Sequence, residues 1–151
     1  MYSKEEAKKL REDFWDQYKN WSGRKRNRKG KKGRWLMNDT GIKQLKLKFH
    51  FDEKQALVGI EIDTKNMAKR LELWEKLESL KIRLEEAADF DLSWDIEYPL
   101  SDHKTVSRIF AKMDNISIYN REDWKRANDF FYKKMTVFEE FFLEYRDYIK
   151  Y

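Results

Sequence analysis

Four residues around the first predicted hairpin have the types needed for metal-dependent hydrolysis of a phosphodiester. In such a nuclease two carboxylates hold Mg²⁺ and a lysine steadies the attacking water. Asp63-Thr64-Lys65 supplies an acid and a lysine two residues apart, and Asp39 and Glu61 are predicted to lie at the same end of the hairpin. Chance matches are common where 40% of residues are charged, so a structural role at a strand end is the simpler interpretation. Catalysis by these four residues, with Mg²⁺ as cofactor, is therefore an alternative, and no other metal or cofactor is predicted.

A second group of residues predicts recognition of a polyanion. Eight of the eleven residues from position 24 to position 34, here called the basic segment, are cationic, and none is acidic. These cations are Arg24, Lys25, Arg26, Arg28, Lys29, Lys31, Lys32 and Arg34. The chain has 33 basic and 28 acidic residues, so the remaining 25 basic residues (33 minus 8) leave the rest of the chain at −3. Clustered cations neutralise phosphates and release counterions without reading sequence, which predicts binding to DNA or RNA.

Trp21 and Trp35 flank the basic segment and extend this prediction, because indole rings can stack on unpaired bases. Two other interpretations remain open. Both tryptophans can instead pack in the core beside a solvated loop, or the segment can bind an acidic protein. Glycines among mutually repelling cations predict that residues 23–34 form a flexible loop when no ligand is bound.

Other chemistries have little support in the sequence. His50 and His103 lack the spacing of a zinc site, cysteine is absent, and neither a nucleophile elbow nor a phosphate-binding glycine loop is present. Arg108, on an otherwise apolar strand, and Arg121, at the start of a helix, are candidates for a shared functional cleft. A buried Arg108 would need an acidic partner such as Asp123. A binding or accessory domain is therefore predicted in preference to an enzyme.

Helical periodicity predicts three or four helices that position these groups. A capping box that begins at Ser3 starts a helix over residues 3–21, and Gly23 is predicted to end it. Further helices are predicted over residues 66–88 and 121–150. The last can be one continuous helix or two with a kink.

Five short segments are predicted as strands, and the first and third alternate apolar and polar residues most strictly. They cover residues 45–51, 56–63, 90–98, 105–113 and 116–119. The order of elements predicts one α+β domain over residues 1–151, with an antiparallel sheet of four to five strands and helices mainly on one face. In this prediction the sheet and the later helices occupy residues 35–151.

The last predicted helix carries more aromatic residues than one buried stripe requires. Phe130, Phe141 and Tyr148 broaden its apolar face and favour a homodimer contact, which makes a protein-interaction module the second functional alternative. No apolar run approaches the roughly 20 residues of a membrane span, so no membrane partner is expected. The charged N-terminal residues lack an apolar signal region, which predicts a cytoplasmic location.

Several segments carry a family resemblance. They are Phe14-Trp15, Trp35 with Asn38, Thr40–Lys43, Thr105–Ile109 and Ile118–Trp124. On these residues the chain resembles the bacterial domain of unknown function 4268 family from about residue 6 to residue 142, and Asn-Arg-Glu-Asp-Trp at 120–124 is the most specific part. The resemblance implies a small bacterial α+β domain, found alone or attached to larger proteins, with no assigned activity or catalytic residues. It also implies that the basic segment is a local addition to an ordinary loop.

Overall fold

The computed structural model of the protein describes residues 2–151. In chain order its elements are α1 (Lys4–Arg28), β1 (Leu45–Phe51), β2 (Gln55–Ile62), α2 (Met67–Ser79), α3 (Lys81–Ala87), β3 (Ser93–Ser101), β4 (Lys104–Asp114) and α4 (Trp124–Lys150). A 3₁₀ turn (Arg121–Asp123) leads into α4. The predicted α+β class, with helices packed on an antiparallel sheet, is confirmed.

The sheet has the strand order β1-β2-β4-β3, and every neighbouring pair is antiparallel. Alternation along each strand directs apolar side chains to one face, where Leu47, Ile60 and Ile109 lie in one row across three strands. The helices that contact the sheet pack on this apolar face. The opposite face, here called the helix-free face, carries Glu61 and Arg108 in register on β2 and β4, and both are buried.

The core is built around the C-terminal helix. Phe131, Met135, Phe138 and Phe142 of α4 recur at helical spacing and are fully buried. The Phe131 ring lies 6.1 Å from that of Phe14 on α1, so the first and last helices meet over the sheet. This packing fixes the middle of α1, ahead of the basic segment.

The first helix is longer than predicted, because α1 continues through Gly23 to Arg28. Ser22 and Arg26, one helical turn apart, are both buried in the protein. Their tertiary contacts outweigh the roughly 1 kcal/mol that glycine costs within a helix. Residues 24–28 are therefore helical and do not belong to a loop.

Three other predicted boundaries were wrong. The helix predicted over residues 66–88 is divided at Leu80, which lets Leu84 turn into the core with 0% of its surface exposed. The strand predicted to end at residue 98 continues through Pro99 to Ser101, because β3 is at the sheet edge and tolerates a missing amide donor. Residues 116–119 form no strand, since Ile116 and Ile118 donate only isolated hydrogen bonds to the turn before β2.

The last helix is continuous, which settles the question that the sequence left open. Phe130 and Phe141 are buried in the core of the same chain, so they are not available to a homodimer interface. Tyr148 is half exposed, and its hydroxyl lies 2.6 Å from Ser79 Oγ of α2. Across residues 2–151, no helix combines the length and the apolar character that crossing a membrane requires.

Candidate nucleic-acid interface

The basic segment starts on the last turns of α1 and returns along the same helix. An added Cβ at Gly23 would lie 3.0 Å from the carbonyl oxygen of Gly33, so the returning chain passes directly against the helix. Gly23 therefore serves a close backbone contact, and the prediction that it ends the helix was wrong.

Arg26 holds the basic segment in place from the inside. Its Nη1 lies 2.8 Å from Glu139 Oε1 of α4, and only 4% of the Arg26 side chain is exposed. Its Nε donates to the Lys32 carbonyl at 2.8 Å and its Nη2 to the Arg34 carbonyl at 3.2 Å. Its guanidinium also stacks 4.0 Å from the centre of the Trp35 ring. Arg26 is thus a buried structural residue with little surface left for the predicted contact with nucleic acid.

Glu139 is absent from the residues that the sequence predicts to be functional. Its second carboxylate oxygen accepts a hydrogen bond from the Leu36 amide at 3.0 Å, so one side chain positions both Arg26 and the chain that follows the basic segment. The sequence does contain a signal. Glu139 falls between Met135 and Phe142 on the buried stripe of α4, and a charge in such a stripe needs a partner.

The two flanking tryptophans are engaged within the protein. Trp35 is 8% exposed and donates from Nε1 to Ser22 Oγ at 3.3 Å. Trp21 is half-buried against Tyr132, and the Lys25 ammonium lies 4.8 Å above its ring. Trp35 therefore does not offer the exposed ring for base stacking that the sequence suggested. The ring of Trp21 is already covered by a cation.

Most cations of the basic segment still face water without an acidic partner. Lys31 pairs with Glu140 of α4 at 2.7 Å, and Arg26 pairs with Glu139. Lys25 is half-buried against aromatic rings. Within residues 2–151, five cations of the segment are exposed and form no ion pair: Arg24, Arg28, Lys29, Lys32 and Arg34. The sequence predicted polyanion binding by all eight cations of the basic segment. In the structure five of them are exposed and unpaired, and Lys25 lies beside them.

A pocket of about 630 Å³ opens between α1 and the chain after the basic segment. We call it the aromatic pocket. Its apolar walls come from Trp15, Tyr18, Trp35, Leu36, Met37 and Phe49. Its exposed polar lining comes from Lys19, Lys32, Arg34, Asn38 and Asp39. Two of the five free cations of the basic segment therefore also line a cavity rich in aromatic rings.

Tyr18 places a deeply buried hydroxyl in the wall of this pocket. It is 3% exposed, and within residues 2–151 its hydroxyl forms no well-aligned hydrogen bond, although the Ser22 and Trp35 side chains lie close to it. Burial raises the pKa of the Tyr18 hydroxyl well above its ordinary value, so the group stays neutral. A buried hydroxyl without a partner is costly, and a ligand that reached it would relieve that cost.

The four residues of the alternative nuclease site do not assemble into a metal site. Glu61 is fully buried and accepts a 2.6 Å hydrogen bond from Arg108 Nη2, while Asp63 lies 3.0 Å from both Lys46 Nζ and Lys104 Nζ. Asp39 lines the aromatic pocket, and Lys65 is exposed without an ion pair. Over residues 2–151, no three acidic or histidine side chains are grouped so that they could hold a metal ion.

Arg108 and Arg121 do not share a cleft. Arg108 lies on the helix-free face and pairs with Glu61, because the register of β2 and β4 sets Glu61 and Arg108 opposite each other. Asp123, the acidic partner that the sequence suggested, does not pair with it. Arg121 lies on the other side of the sheet and pairs with Asp13 of α1 at 3.1 Å. Both arginines therefore have structural partners.

The comparison with known families agrees with the resemblance seen in the sequence. A family model described as domain of unknown function (DUF4268) matches residues 10–146. The chain belongs to this family. No curated protein and no solved structure matches it. The matched range of this DUF4268 domain includes the whole basic segment and all walls of the aromatic pocket.

Proposed function

We propose that this DUF4268 domain binds nucleic acid through the free cations of the basic segment, mainly by contacts to phosphates. The observation that carries the proposal is the exposure of Arg24, Arg28, Lys29, Lys32 and Arg34 without ion pairs on a segment that Arg26 and Glu139 hold from below. Phosphate contacts from such a patch give affinity without sequence preference.

The spacing of the cations suits the sugar-phosphate backbone of a nucleic acid, which carries a negative charge at each phosphate. Arg24 and Arg28 are one helical turn apart on α1, about 6 Å along the axis. Lys32 and Arg34 follow on the returning chain, which Arg26 ties back through its two carbonyl contacts. Because the segment is held before binding, less ordering entropy is lost than in the flexible loop that the sequence predicted.

The proposal also concerns location and chemistry. Nucleic acid lies in the bacterial cytoplasm, which is where we place the protein. Binding by charge alone requires no cofactor and no catalytic residue, so the proposed role is that of a binding or accessory domain. An acidic protein partner and a metal-dependent nuclease have no specific observation in their favour.

The test is fluorescence anisotropy with labelled DNA and RNA over a range of salt. Five phosphate contacts predict a slope of log affinity against log salt of about −4.5 for duplex DNA and about −3.5 for a single strand. Alanine at the five free cations should bring the slope close to zero. The fold should survive, because Arg26 contacts the backbone carbonyls at positions 32 and 34 and not their side chains.

A matched control removes the same charge elsewhere. Its five cations are exposed and form no ion pairs among the described residues 2–151: Lys4, Lys43, Lys65, Arg83 and Lys125. Alanine at these positions changes net charge equally and should leave most of the affinity. Equal losses in the two variants would show that net charge alone attracts nucleic acid, and no binding by the wild-type protein would refute the proposed function.

A further inference from the structure

The aromatic pocket lies where a polymer bound to the basic segment would pass. Lys32 and Arg34 belong to both features, since they are free cations of the segment and part of the pocket lining. Lys19 of α1 adds a third exposed cation that forms no ion pair within residues 2–151. An anionic chain held by the segment is thus brought to the opening of an apolar cavity.

The chemistry of the walls selects a ligand that is aromatic as well as anionic. Trp15 and Phe49 are half-buried, so both rings retain accessible surface beside the buried Trp35. The volume of about 630 Å³ falls in the range of about 300–1,000 Å³ that small-molecule sites occupy. A nucleobase attached to its phosphate combines the flat ring and the negative charge that this lining fits.

The pocket also has hydrogen-bonding groups that the protein itself leaves unused. Tyr18 has a buried hydroxyl without a well-aligned partner, and the side chains of Asn38 and Asp39 form no hydrogen bond within residues 2–151. A hydroxyl, an amide and a carboxylate together can match the donors and acceptors on the edge of a base. Asp39 repels phosphate, so we assign it to the amino groups of a base.

We propose that the aromatic pocket holds one unpaired base of a single-stranded nucleic acid, while Lys32 and Arg34 bind the neighbouring phosphates. This inference rests on the proposed function and narrows it to single strands. Bases in a duplex are paired and stacked, and a base must leave the stack before it can enter a pocket. A single strand offers such bases without that cost.

The decisive experiment compares three fluorescein-labelled 12-mers by anisotropy: a single strand, a fully abasic single strand and a duplex. The first two present the same phosphates. We expect the normal strand to bind about tenfold more tightly than the abasic one, the effect of one stacked base.

Equal affinities for these two strands would overturn the pocket assignment and leave phosphate binding intact. No binding of any of the three would overturn both proposals, and AMP binding as tightly as the 12-mer would overturn the assignment to a strand.

A variant tests which residues receive the base. Trp15→Leu should abolish the preference for the normal strand over the abasic one. Trp94→Leu changes another half-buried tryptophan, on β3 outside the pocket, and should retain that preference. A preference that persists in Trp15→Leu would count against the pocket.

Cross-linking of the wild-type protein gives an answer even if Trp15→Leu does not fold. A single strand carrying 5-iodouracil should form adducts with Trp15 or Phe49 on irradiation, identified by mass spectrometry of peptides. Adducts confined to exposed aromatic residues elsewhere, such as Tyr148, would overturn the inference.

Discussion

Arg26 and Glu139 form a charge pair that water scarcely reaches, since each residue exposes only 4% of its surface. Taking both charges out of water is costly, and the pair repays that cost only while both partners are present. The Arg26–Glu139 pair therefore serves mainly to position the chain. It sets the path of the basic segment against α4 and adds little net stability.

We predict that Arg26→Met or Glu139→Leu alone lowers the free energy of unfolding by about 3–5 kcal/mol, because each leaves one buried charge unpaired. The double variant Arg26→Met/Glu139→Leu should lose less than the sum of its single changes, as urea unfolding will measure. Lys31 and Glu140 give a matched control, an exposed pair between the same segment and the same helix. Breaking that pair should cost less than about 1 kcal/mol. Additive losses at the buried pair would contradict this account.

Asp63 gives a prediction about acid stability. Burial acts to raise its pKa, but hydrogen bonds from Lys104 and Lys46 outweigh it and hold the pKa of Asp63 below its ordinary value. Because the folded pKa lies below the unfolded one, the ionised carboxylate stabilises the fold above about pH 4. That stabilisation is lost as the pH falls through the folded pKa.

Asp63→Asn should therefore lower stability at neutral pH and flatten the decline in stability below about pH 4. The measurement is urea unfolding between pH 2.5 and pH 7. Asp91→Asn is the control, since Asp91 is exposed and forms no ion pair in the part of the chain that the structure describes, and it should leave the shape of the acid profile unchanged. Parallel acid profiles for Asp63→Asn and the wild type would refute the assignment.

At the scale of elements, Gly59 allows β2 and β4 to approach each other closely. An added Cβ there would lie 2.0 Å from the carbonyl oxygen of Ile109 and 2.7 Å from the Cα of Phe110. Both neighbours are backbone atoms of the central strand pair, so neither can move without disturbing the ladder. Glycine in this strand is a steric requirement.

Gly59→Ala should lower the free energy of unfolding by about 3 kcal/mol or more, at the upper end of the cost of overpacking. General propensity points the other way, because alanine usually stabilises a strand interior relative to glycine. Thermal and urea unfolding decide between the two expectations. Stability equal to or above that of the wild type would show that the strands separate at little cost.

The predicted strands show why some elements can be predicted from the sequence. Four of the five predicted segments form strands within a few residues of their predicted bounds, because burial on one face of a sheet imposes a local pattern of apolar residues. Residues 116–119 carry a similar pattern but form turns. Ile116 and Ile118 are both buried, but successive turns direct their side chains into the core, so the apolar pattern there does not mark a strand.

The basic segment shows why other features could not be predicted. Its charge is plain in the sequence, but the burial of Arg26 depends on Glu139, which lies more than a hundred residues away. The same holds for Glu61, whose partner Arg108 is set by the pairing of β2 with β4. Composition reveals how many cations a segment has, whereas long-range packing decides which of them remain free.

At the scale of the whole molecule, the C-terminal helix determines the oligomeric state that we expect. Of the three aromatic residues predicted to close a homodimer, Phe130 and Phe141 belong to the core of their own chain. The large apolar residues that α4 exposes are Leu143 and Tyr148, at 44% and 50%. At about 100° per residue they point some 140° apart around the helix, so they form no common patch. Stable interfaces bury roughly 1,200 Å² or more in total, which two separated side chains do not supply.

We therefore predict a monomer of 18.7 kDa in solution, and that mass is what multi-angle light scattering of the free protein should report. Tyr148→Ser and Leu143→Ser should leave it unchanged. The result bears on the proposed function as well, because a monomer contributes a single basic segment to each binding event. The salt slope expected from five contacts holds only in that case. A mass twice as large, reduced by either substitution, would restore the dimer hypothesis and require the slope to be recalculated for two segments.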